Sequence, residues 1–391
     1  MLPKGGNAPG VGRRCRGRLP CPPVSTEVLD STREELAALG GRLAGTAQER
    51  EAIGRLAKRL ERAGLTPRVE GFVESTSPVL TFAVHLAVAA LALGLGTALP
   101  GVATFLWALV AVSAARELVR QPVLRRLLPR GISYNLVVER PAQRALGRLV
   151  LSAHIDQARR GLRPSRRGAR IASAVFGAYA LVLLGGVFGV GGALATWALV
   201  GGAFVLGLAA LVVALSDRNR ARALRGTGTS SIEAVLEALT QLEAEPLQHL
   251  DLVVVLSGCG EAHGGGVRAL VRQHRHHWAT EDTYLLFADD VGIGRLAYGT
   301  GESIVLPVAY RPTLPALAER LGRTRDHAGL EGRVLERYTD ALVCTHAGYR
   351  AMTITGVEPE PGESDDPGRV RDAGRLLVDL ARALDRDLGV P

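Results

Sequence analysis

The chain has 391 residues, enough for two or three average domains or one large domain with insertions. Apolar residues make up 47% of it and aromatic residues only 4%, the balance coming from Ala, Leu, Val and 47 glycines, a profile suited to helices packed through small residues in lipid. The net charge is +9, carried almost wholly by arginine, and no aromatic-interleaved basic strand or recognition-helix pattern accompanies it, which sets nucleic acid aside and keeps an anionic membrane as a partner.

Residues 1–24 are basic and rich in Pro and Gly, without an apolar run long enough for a signal-peptide core, and read as a disordered tail. Cys15, Cys21, Cys259 and Cys344 are too scattered for a disulfide framework or a zinc ribbon. "TAQEREAIGRLAKRLERAGL" puts Ala47, Ile53, Leu56, Ala57 and Leu60 on one helical face, with Gly64 as the stop. "PRVEGFVE" follows as a strand. Residues 75–115 then hold no charged side chain, and Pro100-Gly101 splits them near the middle. A membrane-spanning helix needs about 20 apolar residues, so the block predicts a helical hairpin.

"SYNLVVER" and "GRLVLSA" read as strands, the second ending abruptly in His154-Ile155-Asp156. Residues 171–216 form another uncharged block, split by "GVFGVGGA" into a second hairpin. Arginines crowd the flanks of both blocks and are absent from their tips, so the positive-inside rule places the flanks in the cytoplasm. The expectation is an integral membrane protein with about four transmembrane helices. Its polar segments 25–74, 116–170 and 217–391 then share the cytoplasmic side and fold as one discontinuous domain.

After the second block, "SSIEAVLEALTQLEAE" is an amphipathic helix in which Ser230 and Glu233 make a capping box. Strand "LDLVVVLSG", helix "GGGVRALVRQHRHHW", strand "TYLLFADDVG", strand "RAMTITG" and a last helix from Pro367 to Leu388 complete the series. Such alternation predicts an α/β fold, a mixed sheet with helices on both faces.

The order of these segments resembles the di-zinc exopeptidase family of bacterial leucyl aminopeptidases, glutamate carboxypeptidases, glutaminyl cyclases and transferrin-receptor ectodomains. The resemblance rests on the opening helix and on a strand ending in HxD ("SAHID"). It continues through "GTGTSSIEAVLEAL", "VVVLSGCGEAHGGG", "FADDVG" and "TDALVCTHAG" in that order. It covers nearly all of the chain outside the tail and the hairpins.

In such a family two zinc ions share a bridging carboxylate, and a Glu deprotonates the water between them. Carried over, the resemblance makes His154 a ligand of the first metal, Asp156 its orienting carboxylate, Asp289 a ligand of the second metal and Glu261 the general base. The bridging Asp falls at Thr229, or at Thr227 with a shifted gap, and the second Glu of the pair falls at Ala262. Aligning Glu261 with that second Glu instead leaves Gly260 at the position of the base. His263, His346 and Glu363 are the substitutes available for the missing ligands. The resemblance implies a membrane-anchored zinc aminopeptidase acting on a peptide or small amide; its alternative is an inactive relative serving as a binding or scaffold module at the cytoplasmic face.

Overall fold

The computed structural model describes residues 27–128, 130–157, 166–218, 229–261, 263–304, 306–360 and 363–389. The tail 1–24, Thr227, Ala262 and the arginines at 159, 160, 163, 220, 222 and 225 lie outside them.

Two unbroken apolar runs make the centre of the sheet. In β3 (Gly147–His154) and β4 (Leu250–Ser257), Leu149 to Leu151 and Leu252 to Leu256 are buried without alternation, as in strands covered on both faces. They run parallel to each other, to β5 (Thr283–Asp289) and to β9 (Arg350–Val357), in the order β4-β3-β5-β9. Antiparallel strands β1 (Arg68–Glu74) and β2 (Gly131–Arg140) extend the sheet beyond β4. On the other side β6 (Arg295–Ser303) pairs antiparallel with β9 and carries the short β7 (Pro307–Ala309) and β8 (Glu331–Leu335). The result is a mixed nine-stranded sheet.

Around it lie α1 (Glu27–Ala37), α2 (Ala47–Arg62), α7 (Ser230–Ala244), α8 (Gly265–His274), α9 (Thr313–Gly322), α10 (Asp340–His346) and α11 (Pro367–Gly389). The crossovers β3-α7-β4 and β4-α8-β5 run in opposite directions along the sheet, so right-handed connections put α7 and α8 on opposite faces. The helix α7 packs against α11, and α8 against α10. The expected capping box at Ser230 does not form. Thr229 is the N-cap residue, and Glu233 turns instead to Arg33, accepting from Nη2 at 2.7 Å and Nε at 3.0 Å.

The apolar blocks form α3 (Pro78–Leu95), α4 (Pro100–Leu118), α5 (Arg166–Val187) and α6 (Ala193–Arg218). Among the described residues three helices are long and apolar enough to cross a membrane, those within α4, α5 and α6, and α3 contributes the shorter apolar stretch Val79–Leu95. Ser77 caps α3 at its start, accepting from Leu80 N at 3.2 Å, and Gly96 closes it. The second hairpin straddles the first, with α6 packed on α3 and α5 on α4. Ala89, Ala92, Leu93, Ala103, Trp107, Val110, Leu183 and Leu199 fill the centre. Trp107 stacks on Phe176 at 4.5 Å and donates its indole N–H to the Phe176 carbonyl at 3.1 Å, while His85 meets Ser113 Oγ at 2.9 Å. Gly202 allows the closest approach, since a Cβ there would stand 2.5 Å from the Tyr179 hydroxyl.

Candidate metal centre

Three neighbouring parallel strands end together and bring their last side chains to one edge. His154 is the final residue of β3 and lies opposite Ser257, the final residue of β4. Glu261 follows four residues later on the loop leaving β4, and Asp289 ends β5. One ligand atom from each of His154, Glu261 and Asp289 lies within 4.8 Å of the others, the one such group of three among the described residues. His154 Nε2 stands 3.3 Å from Glu261 Oε1. Convergence at the carboxyl ends of parallel strands is where open α/β sheets place their ligands.

Charge balance at this edge is strongly anionic. Burial lowers the His154 imidazole, but the hydrogen bond and charge of Glu261, with Asp289 and Asp156 nearby, override it and raise the pKa to about 10. Asp289 Oδ1 is buried and has no hydrogen-bond partner among the described residues. An orphaned buried carboxylate oxygen on a residue clustered with an imidazole and a second carboxylate suits a bound cation, so the donor set fits one metal ion. Zinc bound there would supply a Lewis acid and lower the pKa of a bound water.

A fixed cation lies against the other carboxylate oxygen of Asp289, Oδ2. Arg337 Nη2 is 3.1 Å from Asp289 Oδ2 and donates to the Asp289 carbonyl at 3.1 Å, its Nη1 reaches Asp290 at 2.7 Å, and it also binds Thr355 Oγ1. Asp290 is held at φ +52°, the left-handed region that places its carboxylate against the guanidinium.

The loop bearing Glu261 is pinned from beneath. Asp156 accepts from Gly260 N at 2.7 Å and from Glu261 N at 3.0 Å, so this carboxylate positions the Glu261 backbone. Glu49 accepts from Cys259 N at 2.8 Å, from Gly45 N at 2.7 Å and from Ser133 Oγ at 3.0 Å. Burial nevertheless pushes the Glu49 carboxyl up, against those donors. Gly260 is wedged so tightly that a Cβ would stand 2.4 Å from His154 Cβ, which forbids any side chain there. Neither Glu49 nor Arg337 was legible as part of the site. For Glu49 a signal existed, because Thr46 and Glu49 have capping-box spacing and Thr46 Oγ1 does accept from Glu49 N at 3.3 Å.

The substitutes stand elsewhere. His263, at φ +65°, packs its ring against Phe82 of α3. His346 ends α10, exposed, and bonds the Val119 backbone. Glu363 binds Arg369 and accepts from Gly294 N at 3.1 Å and Glu360 N at 2.9 Å. Thr229 is fully buried at the start of α7.

No family model and no curated protein matches the sequence. Among solved structures, a glutaminyl cyclase of an Acidobacteriales bacterium aligns with TM-score 0.51 at 13% identity, over 96% of this chain and 100% of that one. A leucine aminopeptidase precursor from Bacteroides thetaiotaomicron aligns with TM-score 0.50 at 11% identity, over 93% of this chain and 98% of that one. An aminopeptidase from Aneurinibacillus sp. strain AM-1 gives TM-score 0.50 at 11% identity, over 92% and 93%. The chain therefore has the α/β fold shared by these aminopeptidases and glutaminyl cyclases.

Proposed function

We propose that this chain is a membrane-anchored hydrolase-fold protein with a single zinc site, held by His154, Glu261 and Asp289, that acts on the amide of a peptide terminus or a small amide. The observation that carries this reading is the three-ligand cluster with the unpartnered oxygen of Asp289. Catalytic zinc generally keeps three protein ligands and an open position, and this cluster supplies that number once. A second zinc lacks support. The bridging position holds Thr229, and Oδ2 of Asp289 is already neutralised by Arg337.

A second reading is favoured by the same arginine. Arg337 against Asp289 and Asp290, with the His154–Glu261 pair, balances much of the charge without any metal, as suits a binding module that has lost its chemistry. Metal analysis on the purified full chain separates the two. The proposal expects about one zinc per chain, lost in His154→Ala and in Asp289→Asn, with turnover of an aminoacyl or glutaminyl amide that tracks the metal. Finding no zinc at any concentration tested would leave only the binding module, and two tightly held ions would overturn the single-site reading.

A further inference from the structure

All four apolar helices join the sheet at the edge that carries the metal cluster. Strand β1 runs into α3 and α4 returns into β2, where Glu74 pairs with Gly131. Asn135 of β2 pairs with Ser257, which pairs in turn with His154, so the β1–β2 ribbon extends past the metal edge by four residues, about 13 Å. The elements flanking the second hairpin share that edge. Strand β3 ends at His154 before α5, and α7 begins at Ser230 after α6.

The helix ends rest on the site loops themselves. The Phe82 ring of α3 lies 6.2 Å from the His263 ring, two residues past Glu261. Arg120, just after α4, donates to the Gly260 carbonyl at 2.9 Å, and Val119 packs with Tyr338 and Leu342. Around this junction the surface is unusual for a soluble face. Leu127 is 82% exposed on the short 3-10 turn Leu124–Leu127, Val123 is exposed before it, and Val73 and Ile132 form an exposed apolar cross-strand pair at the end of the ribbon. Arg126 and Arg130 are exposed beside Leu127, whereas the preceding Arg125 turns inward to Glu117. Apolar side chains outward with arginines interleaved is the pattern of a segment lying in the interface of an anionic bilayer.

We propose that Val73, Val123, Leu127 and Ile132, with Arg126 and Arg130, form a collar that seats this sheet edge in the anionic headgroup layer, so that the His154–Glu261–Asp289 cluster works at the membrane surface. The proposal rests on the hairpins crossing a bilayer and not on the activity proposed above. A metal-free, inactive protein would carry the same collar.

The test uses the full chain in nanodiscs of phosphatidylcholine alone or with phosphatidylglycerol, in a background with Cys15 and Cys21 replaced by Ser, since Cys259 and Cys344 are buried. Single cysteines at Leu127→Cys, Ile132→Cys, His346→Cys and, on the opposite edge, Leu146→Cys carry a fluorophore, and a lipid with a nitroxide near the top of its acyl chain serves as quencher. Quenching should be several-fold stronger at 127, 132 and 346 than at 146. Phosphatidylglycerol should strengthen it at 127, and Arg126→Glu with Arg130→Glu should abolish that increment alone. Equal quenching at 127 and 146 overturns the collar, an unquenched 132 overturns the seating of the ribbon end at the metal edge, an unquenched 346 overturns the seating of the junction between α10 and the end of α4, and indifference to phosphatidylglycerol overturns the role of the arginines.

Discussion

Arg120 sits at φ +60°, in the left-handed region where a helix normally ends on glycine. The backbone around it closes α4 in the manner of a Schellman motif, with Arg120 N bonded to Glu117 O and Gln121 N to Arg116 O. An arginine held there costs about 1 kcal/mol relative to glycine, and its side chain explains why it is tolerated. Nη1 reaches Gly260 O and Asp340 Oδ1, Nη2 reaches Tyr338 O at 2.6 Å, and its own carbonyl accepts from Arg268. It therefore ties the end of the apolar helix α4 to both loops that flank the cluster. Arg120→Ala leaves Asp340 buried without its cation and should lower stability by about 3 kcal/mol, at the low end for a broken buried pair. Arg120→Gly relieves the backbone and should recover about 1 kcal/mol of that. Both variants should speed amide hydrogen exchange across 258–264, with Arg120→Lys intermediate. A glycine variant that leaves this loop protected would show that the side chain does not position it.

Among elements, β6 and α10 are joined by a carboxylate with no access to solvent. Glu302 on β6 accepts from Thr339 N at 2.8 Å and Thr339 Oγ1 at 2.6 Å, just before α10, and from the Tyr310 hydroxyl. Burial raises this carboxyl from 4.5 to about 7 despite those donors. The folded protein thus holds the proton more tightly than the unfolded chain. Its contribution is fully present below pH 4.5 and is lost as pH rises through 7, on the order of 3 kcal/mol across the window. Denaturant titrations between pH 5 and 8 should show stability falling with pH by part of that amount, and Glu302→Gln should flatten the slope. An unchanged slope would assign it to other groups. This corner of the fold was also the least legible in the sequence. "RLAYGTGES" is broken by two glycines, and α10 has only seven residues, too few for a helical period to register. The central strands were readable because their apolar runs are long and are followed at once by polar residues: β3 and β5 end in His154 and Asp289, Glu261 stands four residues past β4, and the fold brings these three together. Arg337, Arg120 and Glu49 were not, because each acts through tertiary contacts that leave no periodicity in the chain.

At the scale of the whole molecule, two insertions of apolar helix enter one sheet without disturbing its register. They can do so because each begins and ends at the same edge: α3 and α4 between β1 and β2, α5 and α6 between β3 and α7. Both hairpin tips, near Gly101 and Gly191, therefore project to the same side, away from the sheet. Among the described arginines, Arg116 near the end of α4 and Arg126 and Arg130 just after it are exposed. Arginines near the ends of membrane-spanning helices are generally retained on the cytoplasmic side, so if the hairpins span a bilayer the expected orientation has both tips external. Reporters of external location fused at Gly101 and at Gly191 should both be active, and one fused at the C-terminus should be silent. An active reporter at the C-terminus with silent tips would invert the whole protein and place the His154–Glu261–Asp289 cluster outside the cytoplasm. Tips reporting opposite sides would mean that one hairpin fails to span, with α3, the shortest apolar stretch of the four, the first place to look.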